Sequence, residues 1–245
     1  YHGIFFIGVI RFIQETFDKE HVQKHFCFAG ESSGATFASY AALGVPYQII
    51  YRLHLQHALE NRKRWDKGMW SIRETGEQLV ESVYREGTSM EGWTKEEFRK
   101  KLDDRFICTT NAVCSCGFSP LRLINFESMQ DLLTGIVASA FIPGAMSSIP
   151  SLDGKYLIDG GFSAAGSVPC IDRCKLVYVI SCGQPCKDIP TVFKTNYIEP
   201  SIGPTQYLTS MLFPPTRQQF DAMVDDGYER TKAYFENNPT NVRKA

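Results

Sequence analysis

Five residues, Gly30-Glu31-Ser32-Ser33-Gly34, restrict this chain more than any other part of it. They follow the apolar run His25-Phe26-Cys27-Phe28-Ala29 and precede a stretch of small residues from Ala35 to Ala42. The run reads as a short buried strand stopped by Gly30, and the stretch as a helix, so the chain must reverse sharply between them. Gly-x-Ser-x-Gly in a strand–turn–helix setting is the pattern of a nucleophile elbow. Such a turn holds Ser32 in a strained conformation, and side chains at positions 30 and 34 are expected to collide with neighbouring backbone. The helix that follows directs its dipole and its leading N–H groups at the same point. The Ser33 backbone N–H is thereby a candidate donor to a developing oxyanion. Two alternatives stand beside this reading: a small-residue turn that merely caps a helix, and Ser33 as the reactive hydroxyl. The motif spacing favours Ser32.

A serine nucleophile needs a base. In the α/β-hydrolase order the histidine comes last, after the acid, yet all five histidines here lie at or before residue 57. His54 and His57 share a helix face and are candidates for a base or a metal site, against the commoner reading of packed or surface histidines. Among the 27 acidic residues, Asp159 has an unusual setting. It ends the apolar run Tyr156-Leu157-Ile158 and precedes Gly160-Gly161, a carboxylate at a strand end beside residues that allow close approach. Asp153-Gly154, between polar residues, reads as a plain tight turn. Asp159-Gly160-Gly161 admits a turn reading as well.

The rest of the pattern is α/β. Ile4 to Phe17 reads as a buried helix, and Pro46 to about Asp103 as largely helical, with Thr94 and Glu97 forming a capping box. Strands are expected at Phe106 to Ser115, Leu121 to Phe126, Tyr156 to Ile158 and Leu176 to Ile180. Ser128 caps a helix that ends near Pro143-Gly144, and helix resumes from Pro204, giving a C-terminal helical part over 204–245. Strands separated by helices imply one domain over 1–245, a mainly parallel central sheet covered by helices.

Composition narrows the function classes. A formal net charge of −1 over 245 residues leaves no basic field for nucleic acid. Cys114-x-Cys116, Cys170-x-x-x-Cys174 and Cys182-x-x-x-Cys186 lack the paired spacing of a structural zinc site, and the eight cysteines read as reduced, mostly buried thiols. No run approaches the roughly 20 apolar residues that span a bilayer. The chain opens at Tyr1-His2-Gly3 without Met, which reads as a fragment whose N-terminus lies upstream.

Taken together, these segments resemble the patatin-like phospholipase domain. Gly30 to Gly34 resembles its Gly-x-Ser-x-Gly motif, Asp159 to Gly161 its Asp-Gly-Gly motif, and Ala138-Ser139-Ala140-Phe141-Ile142-Pro143-Gly144 the Ala-Ser-x-x-Ile-Pro run between them. Gly3-Ile4-Phe5-Phe6-Ile7-Gly8-Val9 is similar to the start of the first helix in the animal-type triglyceride lipase branch. The likeness spans residues 1–185. It implies a lipid acyl hydrolase in which Ser32 attacks an ester and Asp159 is its base, with no metal or organic cofactor. It implies substrates among phospholipids and acylglycerols, transient contact with a membrane or lipid-droplet surface, and an intracellular setting. Gly3 would be the last glycine of an oxyanion loop whose glycine triplet lies upstream of Tyr1. A non-catalytic lipid- or protein-binding relative and a small-ester or thioester hydrolase are the competing readings. The helices between Pro46 and Asp103 are the candidate lid or docking surface.

Overall fold

The computed structural model of the chain describes residues 2–63, 72–115, 117–142, 149–152, 154–162, 179–180, 197–201 and 213–238. Helix α1 (Phe5–Thr16) is followed by α2 (Lys19–His25), strand β1 (Phe28–Glu31) and α3 (Ser33–Leu43). Helices α4 (Tyr47–Lys63), α5 (Ile72–Gly87) and α6 (Lys95–Leu102) precede a hairpin of β2 (Phe106–Cys114) and β3 (Gly117–Leu123). Then come α7 (Met129–Ser139), β4 (Ser151–Leu152), β5 (Lys155–Ile158), β6 (Val179–Ile180), β7 (Tyr197–Ile198) and α8 (Arg217–Asn237).

This is an α/β fold with a mixed sheet flanked by helices. β1 and β2 pair in parallel, and β3, β5 and β4 extend the sheet in antiparallel fashion, while β6 and β7 form a separate parallel pair. Phe106 and Cys108 of β2 are fully buried against α3 and α7, and Cys108 Sγ donates to the Gly135 carbonyl at 3.4 Å. The same cluster takes in Ile4 just before α1, Ile7 and Ile10 of α1, Ile50 and Leu55 of α4, Val80 and Tyr84 of α5, and Phe98 and Leu102 of α6. α4, α5 and α6 each give one face to this core. The capping boxes at Thr94–Glu97 and Thr216–Gln219 start α6 and α8, and Ser128 Oγ caps α7 by accepting from Asp131 N.

α8 reaches back to the start of the chain and crosses α1 at two glycines. A Cβ at Gly8 would sit 1.9 Å from the Val224 carbonyl oxygen, and one at Gly227 would sit 2.0 Å from the Phe5 carbonyl oxygen. Only glycine permits backbones this close. Phe12 fills the seam between Tyr228 and Phe235.

Several boundaries differ from expectation. The strand before the elbow begins at Phe28 and runs through Gly30 to Glu31, because His25 closes α2, a helix with no buried residue and hence no apolar periodicity to read. The second hairpin strand is Gly117–Leu123 rather than 121–126, since pairing of Cys114 with Gly117 at the turn sets its register. α7 ends at Ser139; α8 spans Arg217–Asn237, and residues 202–212, where helix was expected to resume, lie outside the described residues. Of the described cysteines Cys108 is buried, Cys27 half-buried and Cys114 exposed. Pro143-Gly144, Asp153, Cys116, Cys170, Cys174, Cys182, Cys186 and most of the strand expected at 176–180 lie outside the described residues.

Candidate active site

The elbow forms where β1 stops. Ser32 has φ 52° and ψ −133°, outside the ordinary wells of an L-residue and one of two non-glycine residues at positive φ among those described. α3 begins at once with Ser33, so the turn contains no spare residue. Gly30 makes this closeness feasible: a Cβ there would lie 2.4 Å from the carbonyl carbon and oxygen of Gly34 and 2.5 Å from Ala35 N. Gly34 does not share that duty. Its Cβ would meet only the Phe6 ring, at 3.9 Å, so the collision expected at position 34 is absent.

The sheet register explains how Asp159 comes to Ser32. β3 occupies one edge of β2, and β1 and β5 share the other. β1 climbs that edge to the Glu31–Thr109 pair, and β5 descends it to the Ile158–Asn111 pair. One further step along either strand falls opposite Thr110, so the two strand ends face each other with Ser32 on one and Asp159 on the other. Ser32 Oγ donates to Asp159 Oδ2 at 2.6 Å.

Asp159 is held from every side. Its N–H donates to the Phe141 carbonyl at 2.9 Å, its carbonyl accepts from Asn111 Nδ2 at 2.7 Å, and its Oδ1 accepts from Gly161 N at 2.8 Å. The residue is only 6% exposed. Burial raises its proton affinity above the ordinary carboxylate range, and the bonds from Ser32 and Gly161 offset part of that effect. Such a carboxylate is a stronger base than a solvated one. Gly160 permits the approach, since a Cβ there would lie 2.8 Å from Glu31 Cβ and 2.9 Å from the Thr109 carbonyl oxygen.

A family model, Patatin-like phospholipase, matches residues 1–169. The chain belongs to the patatin-like phospholipase family. That is a family of lipid acyl hydrolases. Among curated proteins none matches the chain.

Two residues of this patatin-like site escape a reading by motif. Ser139, fully buried at the end of α7, accepts from Ser32 N at 2.9 Å and donates to the Thr109 carbonyl at 2.5 Å. Its hydroxyl thus ties the elbow to β2 just past the last β1–β2 pair. Asn111 holds the turn after Asp159 by donating to both the Asp159 and Gly160 carbonyls. Ser139 lies in the Ala-Ser-x-x-Ile-Pro run, which was a signal of position but not of role. Asn111 carries no signal in a strand of alternating residues.

The remaining candidates are placed as follows. Gly3, in a 3-10 turn over His2–Ile4, packs against the head of α3: a Cβ on it would lie 2.3 Å from the Phe37 ring and 3.2 Å from Ser33 Cβ. Gly3 and Ser33 are thus neighbours beside the elbow. His54 Nε2 meets the Tyr40 hydroxyl at 3.3 Å, and desolvation lowers its pKa to about 3. His57 lies against Asn61 and is likewise lowered by burial. The structure brings neither to Ser32 as a hydrogen-bond partner. Among the described residues no group of three or more His, Cys, Asp or Glu side chains converges as metal ligands would.

Proposed function

We propose that the protein cleaves carboxylic esters of phospholipids or acylglycerols, with Ser32 as nucleophile and Asp159 as its base. The observation that carries this is the 2.6 Å bond from Ser32 Oγ to Asp159 Oδ2 at a serine strained to φ 52°. In this reading Asp159 takes the hydroxyl proton as Ser32 attacks the ester carbonyl. The alcohol leaves with that proton, and water then releases the acyl group from Ser32. Ser33, heading α3, and the neighbouring backbone at Gly3 are the candidate oxyanion donors.

Apolar surface beside Asp159 supports a lipid substrate. Phe162, three residues further on, is 47% exposed, with its ring centroid 6.0 Å from that of Phe118, which is 50% exposed. Among the described residues no helix is long and apolar enough to cross a membrane. Contact with a membrane or lipid droplet would be peripheral in this reading. The opening segment favours the triglyceride lipase branch on its sequence likeness.

Labelling of the full chain by a fluorophosphonate tests the assignment. Wild type and Ser33→Ala are expected to label, Ser32→Ala to lose labelling, and Asp159→Asn to label far more slowly. Labelling retained in Ser32→Ala would refute it, and a folded wild type that does not label would favour a non-catalytic binding protein. Hydrolysis across a series of ester chain lengths then separates lipids from short soluble esters.

A further inference from the structure

Glu31 is the variable residue of the Gly-x-Ser-x-Gly motif, and the fold gives it a specific environment. It pairs with Thr109 across the β1–β2 ladder, so its side chain leaves the sheet on the same face as Thr109 and, two residues on, Asn111. Glu31 Oε2, Thr109 Oγ1 and Asn111 Oδ1 are all buried without a hydrogen-bond partner. Of five such side-chain atoms among the described residues, the other two belong to Arg105. Orphaned polar atoms are costly, so their concentration on one face beside Asp159 calls for an explanation. Gly160 makes room for this carboxyl: its missing Cβ would lie 2.8 Å from Glu31 Cβ and 3.5 Å from Oε2.

We propose that Glu31 is a positioning residue of the Ser32–Asp159 pair, its carboxyl acting on the proton transfer through Asp159 without touching the ester. This rests on the reading of Asp159 as base. Of the elements packed around Glu31, β2 presents the uncharged Thr109 and Asn111, and the turn after β5 presents Gly160 and Asp159. Among the described residues, Asp159 is the titratable group it faces. The Asp159 anion is supported by the Ser32 hydroxyl and the Gly161 N–H, whereas among the described residues no donor reaches Glu31 Oε2. Asp159 therefore ionises first and Glu31 second. Burial, and after it the Asp159 charge, hold the Glu31 proton above the usual carboxyl range. Once both are charged, transfer of the Ser32 proton to Asp159 removes one of two adjacent negative charges. The repulsion relieved is delivered as the proton moves, which raises the strength of the base during reaction.

The test is a 13C titration of the carboxyl carbons of Asp159 and Glu31 in the full chain, followed by kcat and KM for a soluble p-nitrophenyl ester against pH. In wild type the Asp159 resonance is expected to move in two steps, the upper one coinciding with Glu31, and in Glu31→Gln in one. The kcat profile should lose its upper step in Glu31→Gln, with kcat on the order of 3- to 10-fold lower above it and KM little changed. A single-step Asp159 titration in wild type overturns the proposal, as does a Glu31→Gln profile that is lowered equally at all pH values. If Glu31→Gln fails to fold, the wild-type titration decides alone. Coupled titration in a wild type that neither labels nor turns over supports the coupling and refutes the hydrolase reading instead, so the two failures are distinguishable.

Discussion

Replacing Gly30 by alanine should dislodge Ser32, while the same change at Gly34 should leave the site working, although the motif treats the two glycines alike. The three atoms nearest a Cβ at position 30 are all backbone, at 2.4 to 2.5 Å, where ordinary contact begins at 3.4 Å. β1 and α3 must then part by about 1 Å, and a misplacement of that size costs roughly 10²-fold in rate. Overpacking adds about 1–3 kcal/mol of destabilisation. For a chain of 245 residues that corresponds to a Tm lower by roughly 2–12 °C.

At position 34 the nearest atoms are carbons of the Phe6 ring at 3.9 Å. Alanine in a helix is favoured over glycine by about 0.8–1 kcal/mol, so Gly34→Ala should match or slightly exceed wild-type stability. The assay is the rate of fluorophosphonate labelling of each variant, with Tm measured on the same samples. Equal loss of labelling in both variants, or wild-type labelling in Gly30→Ala, would refute the reasoning that backbone contact at position 30 sets the elbow.

Ser139→Ala removes the hydroxyl that serves both Ser32 N and the Thr109 carbonyl, and leaving buried partners unmet costs about 1–3 kcal/mol. It should lower Tm and slow labelling together, and unchanged labelling would show that the elbow stands without it. Gly227→Ala would drive a methyl group into the Phe5 carbonyl and should unseat α8 from α1, with a Tm loss far larger than that of Gly34→Ala. Raised proton affinities make Glu31 and Asp159 favour folding in their protonated forms. That contribution is full below the ordinary carboxyl range, at about pH 4, and is lost as pH rises through the raised folded values. Glu31→Gln should therefore melt higher than wild type at neutral pH, with the gap closing by about pH 4, and a gap independent of pH would refute the assignment.

What could be read before the fold was known follows a physical division. Ser32 and Asp159 could be picked out as candidates because each sits beside glycine at a strand end, and that is a local signal. Their meeting was not legible as geometry, because it depends on β1 and β5 sharing one edge of β2 and stopping on either side of Thr110. Pairing register leaves no trace in the composition of any one strand. Ser139 and Asn111 went unread for the same reason, since each acts on a residue distant in sequence. α2 was missed because it buries nothing, and the hairpin strand was misplaced because its register follows from the turn at Gly117 rather than from its apolar residues.

The same division explains why Glu31 passed as a filler of the motif. Its neighbours Thr109 and Asp159 lie 78 and 128 positions away, and only the ladder sets its carboxyl on their side of the sheet. Ser32 and Glu31 are adjacent in the chain, yet they reach Asp159 by different routes, one by hydrogen bond and the other by charge. A nucleophile elbow thus carries a second variable beyond its serine: the residue before the nucleophile leaves the sheet on the face that the following Asp-Gly-Gly turn covers. In the proposed reading a charged residue there acts on the base through its charge. Elbows that share the five-residue pattern can therefore differ in the strength of their base.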